Sequence, residues 1–264
     1  MKIYIASFNR ASDGAISKLK QKMIDNEYYT DNYREADYIL ACGDRKETFD
    51  FVLEQFRENK KIIHLWAGEL SQGTHDEVYR HAITLMSKVQ LCTNEEAKKV
   101  VKNLCKSIKK KYLVFTIGNI MLDNLEIDES LITEKPYDLI LYNPPTELSP
   151  EEIQKELDYI CSIKDKKAIW MEPNGDINSS MIYKYVTNSN LPRPKFLGLL
   201  KNCNRFITNS SCQYYEASFL LKPEQIISIG ERNKERNSKY SNMSIPNASD
   251  NVIKILRFID NAKI

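Results

Sequence analysis

Three short stretches carry polar residues of the kinds that move protons and bind anions. SFNRASDG brings Arg10, ACGDRKE brings Asp44 and Arg45, and WAGELSQGTHDEVYRH brings Glu69 and Asp76, with Arg80 and His81 one turn further on. Each follows a run rich in β-branched and aromatic residues, so each is expected at a strand-to-loop junction. In parallel α/β sheets the C-terminal edge of the strands is where ligands bind. Carboxylates gathered there beside arginines would hold an anion and exchange protons with it. Taken singly, every one of these residues has a plainer reading. Asp76 reads as a helix N-cap or first-turn acid, Glu69 as a solvated loop acid, and Arg10 and Arg45 as surface ion-pair partners. His64, His75 and His81 each read as structural or exposed. It is their joint placement at consecutive strand ends that points to a site.

The elements that must position these groups follow from periodicity. KIYIAS, ADYILAC, KKIIHLW, VQLCT, LVFTIG, YDLILYN, KKAIWM, RFITN and QIISIG are expected strands, and ETFDFVLEQFREN, DEVYRHAITLMSK, EEIQKELDYICSIK and NVIKILRFIDN have helical spacing. The alternation predicts an α/β fold with parallel sheets. The charged stretch DNLEIDESLITEKP interrupts it. A boundary there gives domains over 1–126 and 127–264, two similar halves with a ligand cleft expected between them. The polar RNKERNSKYSNMSIPNASD reads as a surface loop before the last helix.

Composition narrows the chemistry. With 264 residues, 42% apolar and 28% charged, the chain is globular and long enough for a sizeable core. There are eight glycines and neither a G-x-G-x-x-G nor a G-x-x-x-x-G-K-[ST], so the usual phosphate cradles are absent. Lys+Arg 38 against Asp+Glu 36 leaves a net charge of +2, which argues against a nucleic-acid partner. AKKVVKNLCKSIKKK reads as a helix with a solvated basic face. Six scattered cysteines without a C-x-x-C or a close Cys/His grouping suggest no metal site and no disulfide framework, and fit a reducing cytoplasm. The opening MKIYIASFN is too short and polar for a signal peptide, and no apolar run approaches membrane-spanning length, so no membrane is expected.

CGDRKE together with IHLWAGELSQGTHDEVYRHAITLMSK resembles the UDP-N-acetylglucosamine 2-epimerase family, in particular its hydrolysing branch, which opens sialic-acid and related nonulosonate synthesis. That branch shows G-D-R-x-E, then G-G-E followed by D-E-x-x-R-H-A-I. The likeness continues in the family's order through TIGNIMLDNL, EPNGD, LPRPKFLGLLKNCNRFITNSSCQYYEA and ISIGERNKER. The resemblance implies two Rossmann-like domains with parallel sheets facing a central cleft (GT-B-like), a nucleotide-sugar such as UDP-N-acetylglucosamine in that cleft, no cofactor, and a homodimer. It implies removal of the carbon-2 proton with elimination of UDP, then water addition at carbon 1 and reprotonation at carbon 2. By resemblance, Asp44, Glu69 and Asp76 match the catalytic carboxylates, their individual roles open. Arg10 and Arg45 match nucleotide contacts. Asn209, Ser210 and Ser211 of NSSC match the diphosphate loop before a helix starting near Gln213, Glu216 matches the acceptor from the ribose hydroxyls, and Arg232 a further nucleotide-binding arginine. Without the resemblance, NSSC reads as an ordinary helix cap.

Three positions depart from the family pattern. Its catalytic His-Pro is Asn143-Pro144 here, and asparagine donates a hydrogen bond but supplies no proton near neutral pH. The family's glycine after NSSC is Gln213, whose side chain is expected to crowd the diphosphate. Fewer residues separate Arg10 from Asp44, so part of the first domain is cut back. The leading expectation is a hydrolysing 2-epimerase of a nucleotide-activated amino sugar. The alternatives are a transferase or hydrolase of another nucleotide derivative in the same fold, and a non-catalytic nucleotide-sugar-binding module.

Overall fold

The computed structural model describes residues 1–8, 10–109, 111–132, 136–239 and 245–263, with the backbone alone at 10, 11, 124 and 237–239. The strands are β1 (Ile3–Ala6), β2 (Tyr38–Cys42), β3 (Lys61–Leu65), β4 (Val89–Cys92), β5 (Leu113–Thr116), β6 (Asp138–Leu141), β7 (Ile169–Trp170), β8 (Arg205–Thr208) and β9 (Ile226–Ser228). Each lies within one of the nine strand-like runs of the sequence. The helices are α1 (Arg10–Asp25), α2 (Lys46–Arg57), α3 (His75–Met86), α4 (Glu95–Ser107), α5 (Pro150–Ile163), α6 (Arg193–Asn202), α7 (Ser218–Leu220), α8 (Lys234–Lys239) and α9 (Ala248–Asn261). All strand pairings are parallel, in a five-stranded sheet ordered β1-β2-β3-β4-β5 and a four-stranded sheet ordered β7-β6-β8-β9. No helix among the described residues is long and apolar enough to cross a membrane.

The chain forms two compact units, Met1–Leu70 with Asp76–Asn124 and Asn242–Ile264, and Ser71–His75 with Leu125–Ser241. In the first, every residue of β2 and β4 is buried, the pattern of strands covered on both faces. One face packs α2 and α3 through Val52 and Ile83; the other packs α1 and α9 through Leu19, Met23, Val252 and Leu256. The expected domain over 127–264 is therefore not how the chain divides. Val252, Ile253, Leu256 and Ile259 form an apolar stripe, and it is buried against the first sheet, with Lys22 and Asp250 paired at 2.7 Å beside it.

The stretch between α1 and β2 adds no strand to the first sheet among the described residues. Beyond β1, the chain between α1 and β2 contributes a single bridge, Ile3 to Tyr29, in which Ile3 N–H donates to the Tyr28 carbonyl and Thr30 N–H to that of Ile3.

In the second unit, α5 begins with a capping box in which Ser149 accepts from Glu152 N–H and Glu152 accepts from Ser149 N–H, with Pro150 at the first turn. After β8 the expected helix near Gln213 begins instead as a π-turn, Gln213–Ala217, leading into α7. Such wide turns are rare and concentrate at functional sites.

Candidate active site

In the first unit the site is built on the turns after β2 and β3. Gly43 has φ +88°, a left-handed conformation that turns the chain sharply out of β2 and delivers Asp44. After β3, Trp66 adopts φ +65° without being glycine, which costs of order 1–3 kcal/mol and persists because its indole is held in the core. Gly68 follows at φ +78°. A side chain there would place a Cβ 2.1 Å from the Ala97 carbonyl oxygen, so the backbone runs against α4 and Glu69 emerges beside it.

Arg80, on α3 and only 3% exposed, joins these turns. Its guanidinium pairs with the Asp44 carboxylate, donates to the Glu69 backbone carbonyl at 3.0 Å, and reaches Glu77 Oε2 at 2.5 Å. Burial works against its charge, but Asp44, Glu77 and Glu69 outweigh burial and push its pKa up. Glu69 is itself only 2% exposed. His81 Nε2 lies 3.0 Å from Glu77 Oε1, so Asp44, Arg80, Glu77 and His81 form one chain of charge-assisted contacts.

His64 is fully buried in β3, with Nε2 3.2 Å from the Gly43 carbonyl and Nδ1 3.0 Å from Thr84 Oγ1. A carbonyl only accepts, so Nε2 carries the proton and Nδ1 accepts from the threonine hydroxyl. Burial lowers the His64 pKa from 6.5 to about 3, and Arg80 lowers it too, against the Gly43 carbonyl and Asp44, which raise it. The neutral ring thus ties the turn that carries Asp44 to α3. Unfolded His64 takes up a proton below its ordinary value while the folded ring stays neutral down to about pH 3. Its contribution to stability is therefore lost as pH falls through that window. Replacing His64→Gln is expected to remove about 2 kcal/mol of the wild-type stability difference between pH 7 and pH 5, measured by urea unfolding at both pH values.

The other first-unit expectations are placed as follows. Asp76 stands in the first turn of α3, half-buried, as a first-turn acid would. Arg45 is at the N-cap position of α2 with its Nε 3.6 Å from Glu47 Oε2, which fits its plainer reading as an ion-pair partner. Arg10 opens α1, and its side chain lies outside the described residues.

In the second unit, Asn143 and Asn209 close the ends of β6 and β8. Asn143 N–H donates to Asn209 Oδ1 at 2.8 Å, and Asn209 Nδ2 donates to the Asn143 carbonyl at 2.7 Å. Asn143 Oδ1 accepts from Asn174 N–H at 2.8 Å, fixing the EPNGD loop, and Arg232 Nη1 is 3.5 Å from the Asn143 carbonyl. The NSSC loop differs from its expected form. Ser210 N–H is committed to Thr208 Oγ1 at 2.9 Å, and Ser210 Oγ accepts from Cys212 N–H at 3.4 Å. Both serines are half-buried, and their hydroxyls and Ser211 N–H donate to no other group among the described residues. Gln213 does not project across them: it is 3% exposed, and its Oε1 accepts from Ser228 Oγ at 2.6 Å. The π-turn turns that amide inward to β9, so the expected crowding is not formed by this side chain. Glu216 is 6% exposed, and both Arg193 contacts, from Nε at 2.9 Å and Nη2 at 2.7 Å, go to its Oε1. Burial raises its pKa while Arg193 lowers it, with burial the larger effect.

Sequence reading left Glu77, Arg193 and Asn233 unmarked and gave Arg80 no task. Arg80 had a signal, since it falls three residues after Glu77 and four after Asp76. The pairing of Arg193 with Glu216, 23 residues apart, had none.

Two all-parallel sheets interleaved with helices place the chain in the α/β class, with ionisable and amide side chains at the C-terminal ends of its strands. Comparison with known proteins gives the family. The sequence model described as UDP-N-acetylglucosamine 2-epimerase matches residues 5–263, and the chain belongs to that family of nucleotide-sugar 2-epimerases. It is 26% identical over 252 residues to the GDP/UDP-N,N'-diacetylbacillosamine 2-epimerase (hydrolyzing) of Campylobacter jejuni, covering 86% of this chain and 65% of that one. It is 26% identical over 254 residues to the polysialic acid biosynthesis protein P7 of Escherichia coli, covering 86% and 63%. The chain thus spans less than two thirds of the length of these curated relatives. The fold matches the crystal structure of UDP-GlcNAc 2-epimerase from Neisseria meningitidis bound to UDP-GlcNAc with a TM-score of 0.69 at 15% identity, over 97% of this chain and 99% of that one.

Proposed function

We propose that this protein is a hydrolysing 2-epimerase of a nucleotide-activated amino sugar, converting UDP-N-acetylglucosamine or a close relative, with water, to the 2-epimeric free sugar and UDP. The observation that carries this reading is the convergence of Asp44 and the Glu69 turn on one buried arginine at the strand ends of the first sheet. Carbon 2 of the sugar is a weak acid, so its proton must pass to a carboxylate held in place by its surroundings. Arg80 supplies that restraint for Asp44. One of Asp44, Glu69 and Asp76 takes the carbon-2 proton as the carbon 1–oxygen bond to UDP breaks; water then adds at carbon 1, and carbon 2 is reprotonated on the opposite face. In the second unit, the Ser210 and Ser211 hydroxyls and Ser211 N–H would meet the diphosphate, Glu216 Oε2 the ribose hydroxyls, and Arg232 the nucleotide. The proposal includes the GT-B arrangement of the family, a homodimer and a cytoplasmic location.

Incubation with UDP-N-acetylglucosamine is expected to release UDP and N-acetylmannosamine. Asp44→Asn, Glu69→Gln and Asp76→Asn should each lower UDP release about 10²–10⁴-fold. No UDP above buffer hydrolysis overturns the standard activity. A second reading, another cleavage or transfer on a nucleotide derivative, is favoured by Asn143, which holds Asn174 and supplies no proton. It predicts thermal stabilisation by a nucleoside or a different sugar nucleotide, with none from UDP. Stabilisation by UDP-N-acetylglucosamine without turnover would instead mark a non-catalytic binding module.

A further inference from the structure

The second unit contains a run of buried polar contacts that the residues assigned above do not account for. Asn143, Asn209, Asn233 and Arg236 are each no more than 5% exposed and follow one another in hydrogen-bonding order. Arg236 Nη1 donates to Asn233 Oδ1 at 3.0 Å, Asn233 Nδ2 donates to the Asn209 carbonyl at 2.7 Å, and Asn209 Nδ2 donates to that of Asn143. A guanidinium only donates, so Arg236 fixes which end of the Asn233 amide faces it, and Asn233 must present N–H to Asn209. Arg236 thus sets the Asn233 amide, and the Asn143 backbone N–H and carbonyl set that of Asn209.

The ladder also grips the turn that follows the serines. Tyr214 donates its hydroxyl to the Asn233 carbonyl at 3.5 Å, and the Arg236 guanidinium lies over the Tyr215 ring, 5.8 Å from its centre. With Gln213 fastened to Ser228, the segment from Asn209 to Tyr215 is held from beneath by residues 228–236. Ser210 and Ser211 sit between the two fixed ends, Asn209 and Gln213.

We propose that Asn233 is a positioning residue for the diphosphate of the nucleotide: by holding the Asn209 carbonyl inward, it keeps the Ser210 and Ser211 hydroxyls and Ser211 N–H pointed at the phosphate oxygens. The proposal rests on the nucleotide-sugar reading of this unit. Asn233 itself touches no phosphate, so its loss weakens binding through loop geometry and leaves the carboxylate chemistry of the first unit intact.

The test is Asn233→Asp, which keeps the acceptor for Arg236, replaces the donor facing Asn209 with an oxygen and adds a negative charge beside the guanidinium. Asn233→Ala, which carries no charge, is the companion should the aspartate variant fail to fold. Three readouts are taken on each folded variant: amide hydrogen exchange over residues 209–215 without ligand, the UDP dissociation constant by calorimetry, and the split between kcat and KM. Exchange is expected to quicken, the UDP dissociation constant and KM to rise about tenfold, and kcat to stay within about twofold. A residue that merely stabilises the fold would lower the melting temperature and leave the UDP affinity of the folded protein unchanged. Unchanged UDP affinity in a folded variant, when the wild type binds UDP, overturns the positioning role alone. A wild type that binds no UDP overturns the nucleotide-sugar reading, and the role assigned to Asn233 with it, whatever the exchange data show.

Discussion

Arg80→Met is expected to lower the unfolding free energy by about 3–5 kcal/mol, the usual cost of removing one member of a buried ion-pair network. Methionine fills similar volume and follows the same helical path, so the loss is electrostatic. Asp44 and Glu77 lose the cation between them, and the Glu69 carbonyl loses a donor in a region where Glu69 is itself buried. Arg80→Lys should recover part of the loss: a single ammonium keeps the charge but lacks the planar fork that reaches three acceptors at once. Urea unfolding at pH 7 measures both variants. A loss under about 1 kcal/mol for Arg80→Met would show that solvent already screens the pair. Turnover should fall in both variants even where they are fully folded, because Asp44 is then no longer held in one rotamer.

Asn143→His is expected to raise the rate of UDP release by about 10²–10⁴-fold, the usual contribution of a placed general acid. The substitution is structurally permissive for an identifiable reason. Both bonds between Asn143 and Asn209 use the backbone N–H and carbonyl of residue 143, so they survive any side chain there. The bond that does depend on the side chain is the one from Asn174 N–H to Asn143 Oδ1; a neutral imidazole can accept in its place, and the imidazolium that acts as the general acid gives that bond up. Steady-state assays of UDP release from UDP-N-acetylglucosamine read the outcome directly. A folded variant with an unchanged rate would mean that departure of the leaving group is not what limits this protein, and would favour the reading in which the ligand or the reaction differs.

Much of this was open to inspection before any fold was known. The runs that became strands were short, β-branched and aromatic, and every one formed, because parallel strands buried on both faces leave little room for another composition. The amphipathic helices were equally plain; α5 carried its own start signal in Ser149, Pro150 and Glu152. Asp44, Glu69 and the NSSC loop could be found because each sits next to a strand, where local chain geometry decides position.

Other features were set by contacts between residues far apart in sequence. The apolar stripe of α9 required a partner but did not say which sheet, and it went back to the first one. Gln213 read as an obstruction because its side chain is long and polar; a π-turn and a hydroxyl 15 residues away at Ser228 turn it inward. Glu216 read as an open acceptor, and Arg193 covers one of its oxygens. Sequence by itself determined the α/β class, the strands and the residue types that could do chemistry, since these follow from periodicity and local turn geometry. Tertiary structure decided which charges share a partner, and so which of them are fixed in place. Burial makes that choice, because an ionised or amide group taken from water must be met by whatever the fold brings within 3 Å of it.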